Sequence, residues 1–132
     1  MPPTGRFLLD TNILIGLLAG EVAVTSAIQD AEAVFIPAIA LGELHYGAHK
    51  SGRPAANIAR LEALASAAAV LPCDAATAAH YGELKAALRT KGTPVPENDL
   101  WIAAVGRQHQ LTVVTRDAHF QGIPDLAIAT WA

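Results

Sequence analysis

The sequence predicts an α/β fold in which a mainly parallel central sheet of about five strands lies between layers of helices. Five short apolar runs occur near residues 7, 34, 69, 113 and 128, with helical segments between them. Parallel neighbouring strands need such long crossover connections. The runs are continuous rather than alternating, as expected when helices cover both faces of a sheet. With 132 residues, the chain is expected to be one domain, residues 1–132.

The first half of the chain is predicted to supply three of these strands. The first apolar run ends at Asp10, and apolar sequence continues too far beyond it for one strand, which favours a strand that turns directly into a helix. Pro37 stops the second strand and suits the first turn of the next helix. The predicted elements are strand Arg6–Leu9, helix Thr11–Leu18, helix Glu21–Ala31, strand Ala33–Ile36, helix Ala38–Lys50, helix Ala55–Ala67 and strand Ala68–Leu71.

The second half is predicted to contain two long helices and two strands. Asp74 is a suitable N-cap for the first helix, and Lys91-Gly92 is the cation-then-glycine signal expected at its end. The second helix is apolar on every side over Leu100–Val105, which indicates burial in the core. The predicted elements are helix Ala75–Arg89, a helix opening at Glu97 or Asn98, strand Thr112–Thr115 and strand Leu126–Thr130.

Composition and charge narrow the classes of function. A net charge of −3 argues against a protein that binds nucleic acid through a broad basic surface. Cys73 is the only cysteine, so the chain has no intramolecular disulfide and no cysteine-based metal site, which suits a reducing compartment. The apolar segment from Phe7 to Ala19 contains Asp10 and Asn12, and it is too short to cross a bilayer. We therefore expect a cytoplasmic protein with no membrane partner.

Four of the twelve acidic residues stand where a charge is unexpected. Each adjoins sequence that should form the core: the end of an apolar strand, the middle of an apolar helix, or the start of a buried one. An unpaired charge in such a position is costly. Two of the four follow strands, at the sheet edge where ligands bind in folds of this kind. The four residues are Asp10, Glu43, Asp99 and Asp117.

Two interpretations of these acids are open. Each acid could cap a helix or pair with a nearby arginine, although the chain has only nine Lys and Arg residues and few adjoin the four acids, Arg116 being the exception. Alternatively the four converge, in which case two carboxylates about 4 Å apart repel by about 4 kcal/mol at an effective dielectric constant of about 20. A divalent cation would offset that repulsion, and Mg²⁺ or Mn²⁺ suits a site made only of carboxylates.

A carboxylate-bound cation is well suited to the hydrolysis of phosphodiesters. The cation polarises the phosphate and lowers the pKa of a bound water that then attacks. Such a site also agrees with the acidic net charge, because it holds phosphate through the metal rather than through a basic surface. Basic residues that could contact the rest of a nucleic acid strand are Arg116, Lys85, Arg89 and Lys91.

The sequence resembles PIN-domain ribonucleases, specifically the VapC toxin branch of bacterial and archaeal toxin–antitoxin pairs. The resemblance covers essentially the whole chain. Four blocks in family-like order and spacing carry it: Phe7-Leu8-Leu9-Asp10-Thr11-Asn12; Leu41-Gly42-Glu43-Leu44 followed by Tyr46-Gly47; Asn98-Asp99-Leu100-Trp101-Ile102-Ala103-Ala104; and Val114-Thr115-Arg116-Asp117 with His119-Phe120.

The resemblance implies a PIN-like α/β/α sandwich and an endoribonuclease that depends on Mg²⁺ or Mn²⁺. It implies that the acidic quartet, Asp10, Glu43, Asp99 and Asp117, holds the metal and carries the catalysis, although relatives often have Asn at the position of Asp117. Asn12 and Thr115 would orient ligands or water, while Arg116 and His119 could contact RNA. The family also implies a homodimer and a cognate VapB-type antitoxin, for which the helices between Glu21 and Ala67 are the expected surface.

Other readings of the same residues are possible. Haloacid-dehalogenase-like phosphatases also begin with an Asp after the first strand, but they need a second Asp where this chain has Asn12. Phosphoaspartate receiver domains need an acid pair and a Lys that are missing here. A PIN-like scaffold that binds RNA or protein without cleavage would be favoured if part of the quartet were absent, and all four residues are present. The RNA target and the number of metal ions stay open.

Overall fold

The computed structural model describes residues 5–132 and has the predicted layered arrangement, in which helices flank one five-stranded sheet. The elements follow the predicted order and lie within a few residues of the predicted bounds. They are β1 Arg6–Leu9, α1 Thr11–Leu18, α2 Val22–Asp30, β2 Ala33–Pro37, α3 Ala38–His49, α4 Pro54–Ala67, β3 Ala69–Leu71, α5 Ala75–Lys91, α6 Glu97–Gln108, β4 Thr112–Val114 and β5 Ile128–Ala129.

The sheet has the strand order β3-β2-β1-β4-β5, and every pairing is parallel. The chain thus begins in the centre, runs outward to one edge, and then crosses to the other side of β1. In such a sheet the crevice beside the central strand, at the carboxyl ends, is the place where ligands bind. Leu9, the last residue of β1, pairs with Val114, the last residue of β4, so the segments that follow these two strands emerge side by side.

The core lies on both faces of the sheet and is formed mainly by β1, β4, α1 and α6. Leu8, Ile13, Ile102 and Val113 are completely buried. Helix α6 packs closely against β4 at Gly106, where an added Cβ would lie 2.7 Å from Val113 Cγ2. The buried helix predicted over Leu100–Val105 is therefore confirmed, and its packing fixes the position of its first turn.

Local signals explain how the long helices begin and end. Asp74 accepts a hydrogen bond from the backbone N–H of Thr77 at 3.0 Å, and the Thr77 hydroxyl accepts one from the Asp74 backbone N–H in return. At the other end of α5, Gly92 has φ of 71°, a left-handed conformation that glycine adopts without strain. Both predicted signals of this helix are confirmed.

One element was not predicted, a single 3₁₀ turn at Ala118–Phe120. It follows β4 directly, and its last residue, Phe120, is completely buried. Across residues 5–132, no single helix is long and apolar enough to span a membrane; α1 and α2 pass that test only as a pair, and the chain bends by 106° between them.

Candidate active site

Asp10 lies at the junction of β1 and α1, where it is both the N-cap of the helix and a buried charge. Its Oδ1 accepts a hydrogen bond of 2.8 Å from the backbone N–H of Thr11. Its Oδ2 accepts hydrogen bonds from the Thr115 hydroxyl at 2.7 Å and from the Asn12 amide at 3.4 Å. The two residues expected to orient ligands therefore both contact Asp10, which is only 3% exposed.

Burial is the main influence on the Asp10 carboxyl and raises its pKa. The hydrogen bonds from Thr115 and Thr11 oppose this effect, while the negative charges of Asp99 and Glu43 add to it. Two residues from distant parts of the chain are thus near enough to act on Asp10 electrostatically. Without a positive partner, its ionised form is held at a cost.

Glu43 projects from α3 and is fixed by a hydrogen bond that the sequence did not predict. The Thr11 hydroxyl donates to Glu43 Oε1 at 2.7 Å. Thr11 is the residue after Asp10, so the first turn of α1 holds two acids of the quartet, one through its backbone N–H and one through its side chain. The only sequence signal for Thr11 was its place within the Asp10-Thr11-Asn12 block.

Asp99 lies in the first turn of α6, where the positive end of the helix dipole favours a carboxylate. Its side chain is only 14% exposed. Burial raises the pKa of this carboxyl, the hydrogen bond from His119 lowers it, and the charges of Asp117 and Glu43 raise it again. Asp99 is therefore within electrostatic range of the other three members of the quartet, since it also acts on Asp10.

Asp117 follows β4 and caps the 3₁₀ turn, because its Oδ1 accepts a hydrogen bond of 3.0 Å from the backbone N–H of His119. The imidazole of His119 then turns back toward the acids. Its Nδ1 lies 2.8 Å from Asp117 Oδ1 and 3.0 Å from Asp99 Oδ2. The hydrogen bond to Asp99 is the main reason that the pKa of His119 is raised, with the charges of both acids contributing.

The four acids have no lysine or arginine ion-pair partner within residues 5–132. Arg116, the basic residue nearest to them in sequence, instead pairs with Glu21 at 2.6 Å and donates to the carbonyl oxygen of Trp131. Lys85 pairs with Glu97 at 3.1 Å. The interpretation in which each acid has its own arginine therefore does not hold. The capping interpretation holds for Asp10 and Asp117, but both also join the cluster.

The donor set of this cluster fits a hard divalent cation. It offers several carboxylate oxygens and one imidazole nitrogen, and donor atoms of Asp99, Asp117 and His119 lie within 4.8 Å of one another. Carboxylates are the preferred ligands of Mg²⁺ and Mn²⁺. Burial is the main reason that the pKa values of Asp10 and Asp99 are raised, and the neighbouring carboxylates raise both further, so a bound cation would favour the ionised form of each acid.

Two open clefts are lined in part by residues of the cluster. One, of about 450 Å³, is lined by Glu43, Tyr46, Cys73 and Asn98 among others. The other, of about 390 Å³, includes Thr115, Arg116 and Asp117 in its wall.

The sequence matches the family described as PIN domain over residues 7–126. Among curated proteins, it is 34% identical over 129 residues to Ribonuclease VapC2 of Haemophilus influenzae, covering 96% of this chain and 98% of that protein. It is 36% identical over 129 residues to the tRNA(fMet)-specific endonuclease VapC of Salmonella typhimurium, with the same coverage of both chains.

Solved structures show the same likeness. A chain in the structure of DNA-bound VapBC from Salmonella typhimurium superposes with a TM-score of 0.90 at 34% identity, covering 98% of this chain and 100% of that one. A chain of VapBC2 from Rickettsia felis, bound to a DNA fragment from its promoter, gives a TM-score of 0.88 at 28% identity, with 96% and 99% covered.

Proposed function

This chain belongs to the PIN-domain family, in its VapC branch, and on that basis we propose that it is a Mg²⁺- or Mn²⁺-dependent endoribonuclease, the toxin of a VapBC-type toxin–antitoxin pair. One observation carries the proposal: four carboxylates from distant parts of the chain converge with no lysine or arginine paired to them within residues 5–132. The complete quartet favours a cleaving enzyme over a scaffold, and Asn12, hydrogen-bonded to Asp10, replaces the second acid that a phosphatase would need.

Asp10, Glu43, Asp99 and Asp117 would hold the cation. When bound, the cation supplies Lewis-acid activation of the scissile phosphate and a water of lowered pKa. Asp10 and Asp99 would have to be ionised to bind it, so a bound cation would oppose the effect of burial on their pKa values. Thr115 and Asn12 hold the Asp10 carboxylate in one orientation, and Thr11 does the same for Glu43.

RNA would lie against the acids and in the two clefts that the acids help to line. Arg116 is the proposed contact to the RNA backbone, since it lines the cleft beside Asp117. In this chain the Arg116 guanidinium already pairs with Glu21, so its attraction for phosphate would be reduced. Because the net charge is −3, most of the attraction for phosphate would have to come from the bound cation.

The proposed partner is an antitoxin of the VapB type, as in the VapBC complexes that resemble this chain. An apolar groove between α1, α3 and α4, lined by Ile15, Leu18, Leu44 and Leu61, reaches Glu43 at one end. Ile15 is 54% exposed there. An antitoxin segment in this groove would cover the exposed Ile15 and lie beside Glu43. We further propose that the chain works as a homodimer, in the cytoplasm where its RNA substrates are found.

Cleavage of RNA by the purified protein tests the proposed activity. The probe is initiator tRNA, because the Salmonella relative is named for that substrate, with an unstructured RNA beside it. We expect cleavage with Mg²⁺ or Mn²⁺, loss of cleavage with EDTA, and recovery when the metal is restored. Equal cleavage in EDTA would contradict metal dependence, and binding of both RNAs without cleavage under every metal condition would favour the scaffold.

A further inference from the structure

We propose that His119 is a direct ligand of the cation, so that the site is a mixed carboxylate–imidazole centre that favours Mn²⁺ over Mg²⁺. This inference rests on the proposed metal-dependent function. It gives His119 a role different from the RNA contact that the sequence resemblance implied, and it extends the donor set beyond the acidic quartet.

The His119 ring nitrogen is hydrogen-bonded to two carboxylates at distances that neighbouring ligands of an octahedral ion would also need. Neighbouring ligand atoms in an octahedron with metal–ligand bonds of about 2.1 Å lie about 3.0 Å apart. His119 Nδ1 is 3.0 Å from Asp99 Oδ2 and 2.8 Å from Asp117 Oδ1. A cation could therefore be coordinated by this nitrogen and these two carboxylate oxygens after small movements of the three side chains. It would replace the proton that links Nδ1 to the carboxylates.

The backbone around His119 holds this residue beside Asp99 and Asp117. The residue sits in the middle of the 3₁₀ turn, and its N–H is fixed by the Asp117 side chain. The next residue, Phe120, is completely buried and attaches the turn to the core. The His119 side chain itself is 50% exposed, so it could exchange its contacts without disturbing the packing.

The donor type predicts the metal preference. Mg²⁺ strongly favours oxygen ligands, whereas imidazole nitrogen suits first-row transition ions such as Fe²⁺ and Zn²⁺, and Mn²⁺ is the member of that series that carboxylates also suit. If the His119 nitrogen is a ligand, it should increase the affinity of the site for Mn²⁺ more than the affinity for Mg²⁺. Loss of the imidazole should therefore weaken Mn²⁺ binding more than Mg²⁺ binding.

Metal titration of three purified variants tests the inference. H119A removes the ring, H119N keeps a hydrogen-bond donor near the position of Nδ1, and H109N is the matched control, because His109 stands at the far end of α6 from Asp99. We expect Mn²⁺ to bind about tenfold or more weakly to H119A and H119N, with a smaller change for Mg²⁺ and wild-type affinities for H109N. Electron spin-echo spectra of bound Mn²⁺ should show a coordinated ¹⁴N in the wild type and in H109N, and none in the two H119 variants.

The outcomes separate this inference from the proposed function. Wild-type Mn²⁺ affinity in H119A, or a wild-type that binds Mn²⁺ without any ¹⁴N coupling, would overturn the ligand role while leaving a metal-dependent enzyme. Wild-type Mn²⁺ affinity in H119N would overturn the requirement for an imidazole nitrogen, because an amide oxygen or a hydrogen bond at this position would then serve equally well. A wild-type protein that binds neither ion would instead contradict the metal-dependent function.

Discussion

The hydroxyl of Thr115 donates a hydrogen bond of 2.7 Å to Oδ2 of Asp10, across 105 positions of sequence. The hydroxyl oxygen of Thr115 in turn accepts a hydrogen bond of 2.9 Å from the backbone N–H of Asp117. One buried hydroxyl thus joins the acid after β1 to the acid after β4. The contact exists because β1 and β4 are neighbours whose last residues are in register.

Replacement of Thr115 should show what this bridge contributes. T115V keeps the side-chain shape but leaves Asp10 Oδ2 and the Asp117 N–H with fewer partners, so we expect a loss of about 1–3 kcal/mol in the free energy of unfolding. The pKa of Asp10 should rise further, since the Thr115 hydrogen bond lowers it. T115S is the control and should behave like the wild type in urea denaturation. Equal stability of T115V and T115S would contradict the bridge.

Thr11 should matter for catalysis although it holds no metal in this account. T11V removes the hydrogen bond to Glu43 Oε1 and keeps the volume of the side chain. We expect kcat to fall about 10- to 100-fold, as is usual when a residue that orients a metal ligand is lost. T11S should retain most of the activity. A T11V enzyme with normal kcat would show that Glu43 needs no such support.

Asp10 should destabilise the metal-free protein at neutral pH. Its pKa is raised in the folded state, so the folded protein holds that proton more tightly than the unfolded chain does. Stability is then lost as the pH rises above the ordinary carboxyl pKa of about 4 and through the higher folded value.

D10N removes this effect and should unfold at a higher temperature than the wild type in EDTA. The gain should be small near pH 4 and grow to about 1 kcal/mol at neutral pH, and saturating Mn²⁺ should reverse the order by stabilising only the wild type. Thermal denaturation at several pH values measures this difference. A gain that shrinks as the pH rises would have the wrong sign for a raised pKa.

Arg116 and Glu21 should have opposite effects on RNA binding. If Arg116 contacts phosphate, R116Q should weaken binding and lower the slope of log affinity against log salt by about one. E21Q releases the guanidinium from its 2.6 Å ion pair, so this variant should bind RNA more tightly at low salt. Filter binding of RNA in EDTA, where cleavage is prevented, measures both slopes. Equally weakened RNA binding in R116Q and E21Q would contradict this prediction, because the ion pair would then only stabilise the fold.

The sequence predicted the parts of this fold that depend on local signals. The switch from strand to helix at Asp10, the cap at Asp74 and the stop at Gly92 each follow from residues within a few positions of one another. The buried helix around Ile102 follows from apolar residues on all its faces. Asp10 and Asp117 were expected at the carboxyl-end edge of the sheet, where ligands bind in folds of this kind, but the pairing of β1 with β4 was not predicted.

The details of the site depend on side-chain contacts between residues that are distant in sequence, and local sequence patterns do not predict such contacts. Thr11 meets Glu43 across 32 positions, and His119 meets Asp99 across 20. The 3₁₀ turn that presents His119 has only three residues, too few for a periodic signal. Arg116 was identified from its position beside Asp117, but its pairing with Glu21 requires the folded arrangement of α2 and the C-terminal segment.

The central claim is that the converging carboxylates act together on RNA through one cation site. Single-turnover cleavage of RNA by D10A and D99A in saturating Mn²⁺, with circular dichroism to show that both variants are folded, tests this claim most directly. The account predicts that each variant cleaves no faster than the wild type does in EDTA. Undiminished cleavage by both folded variants would contradict it.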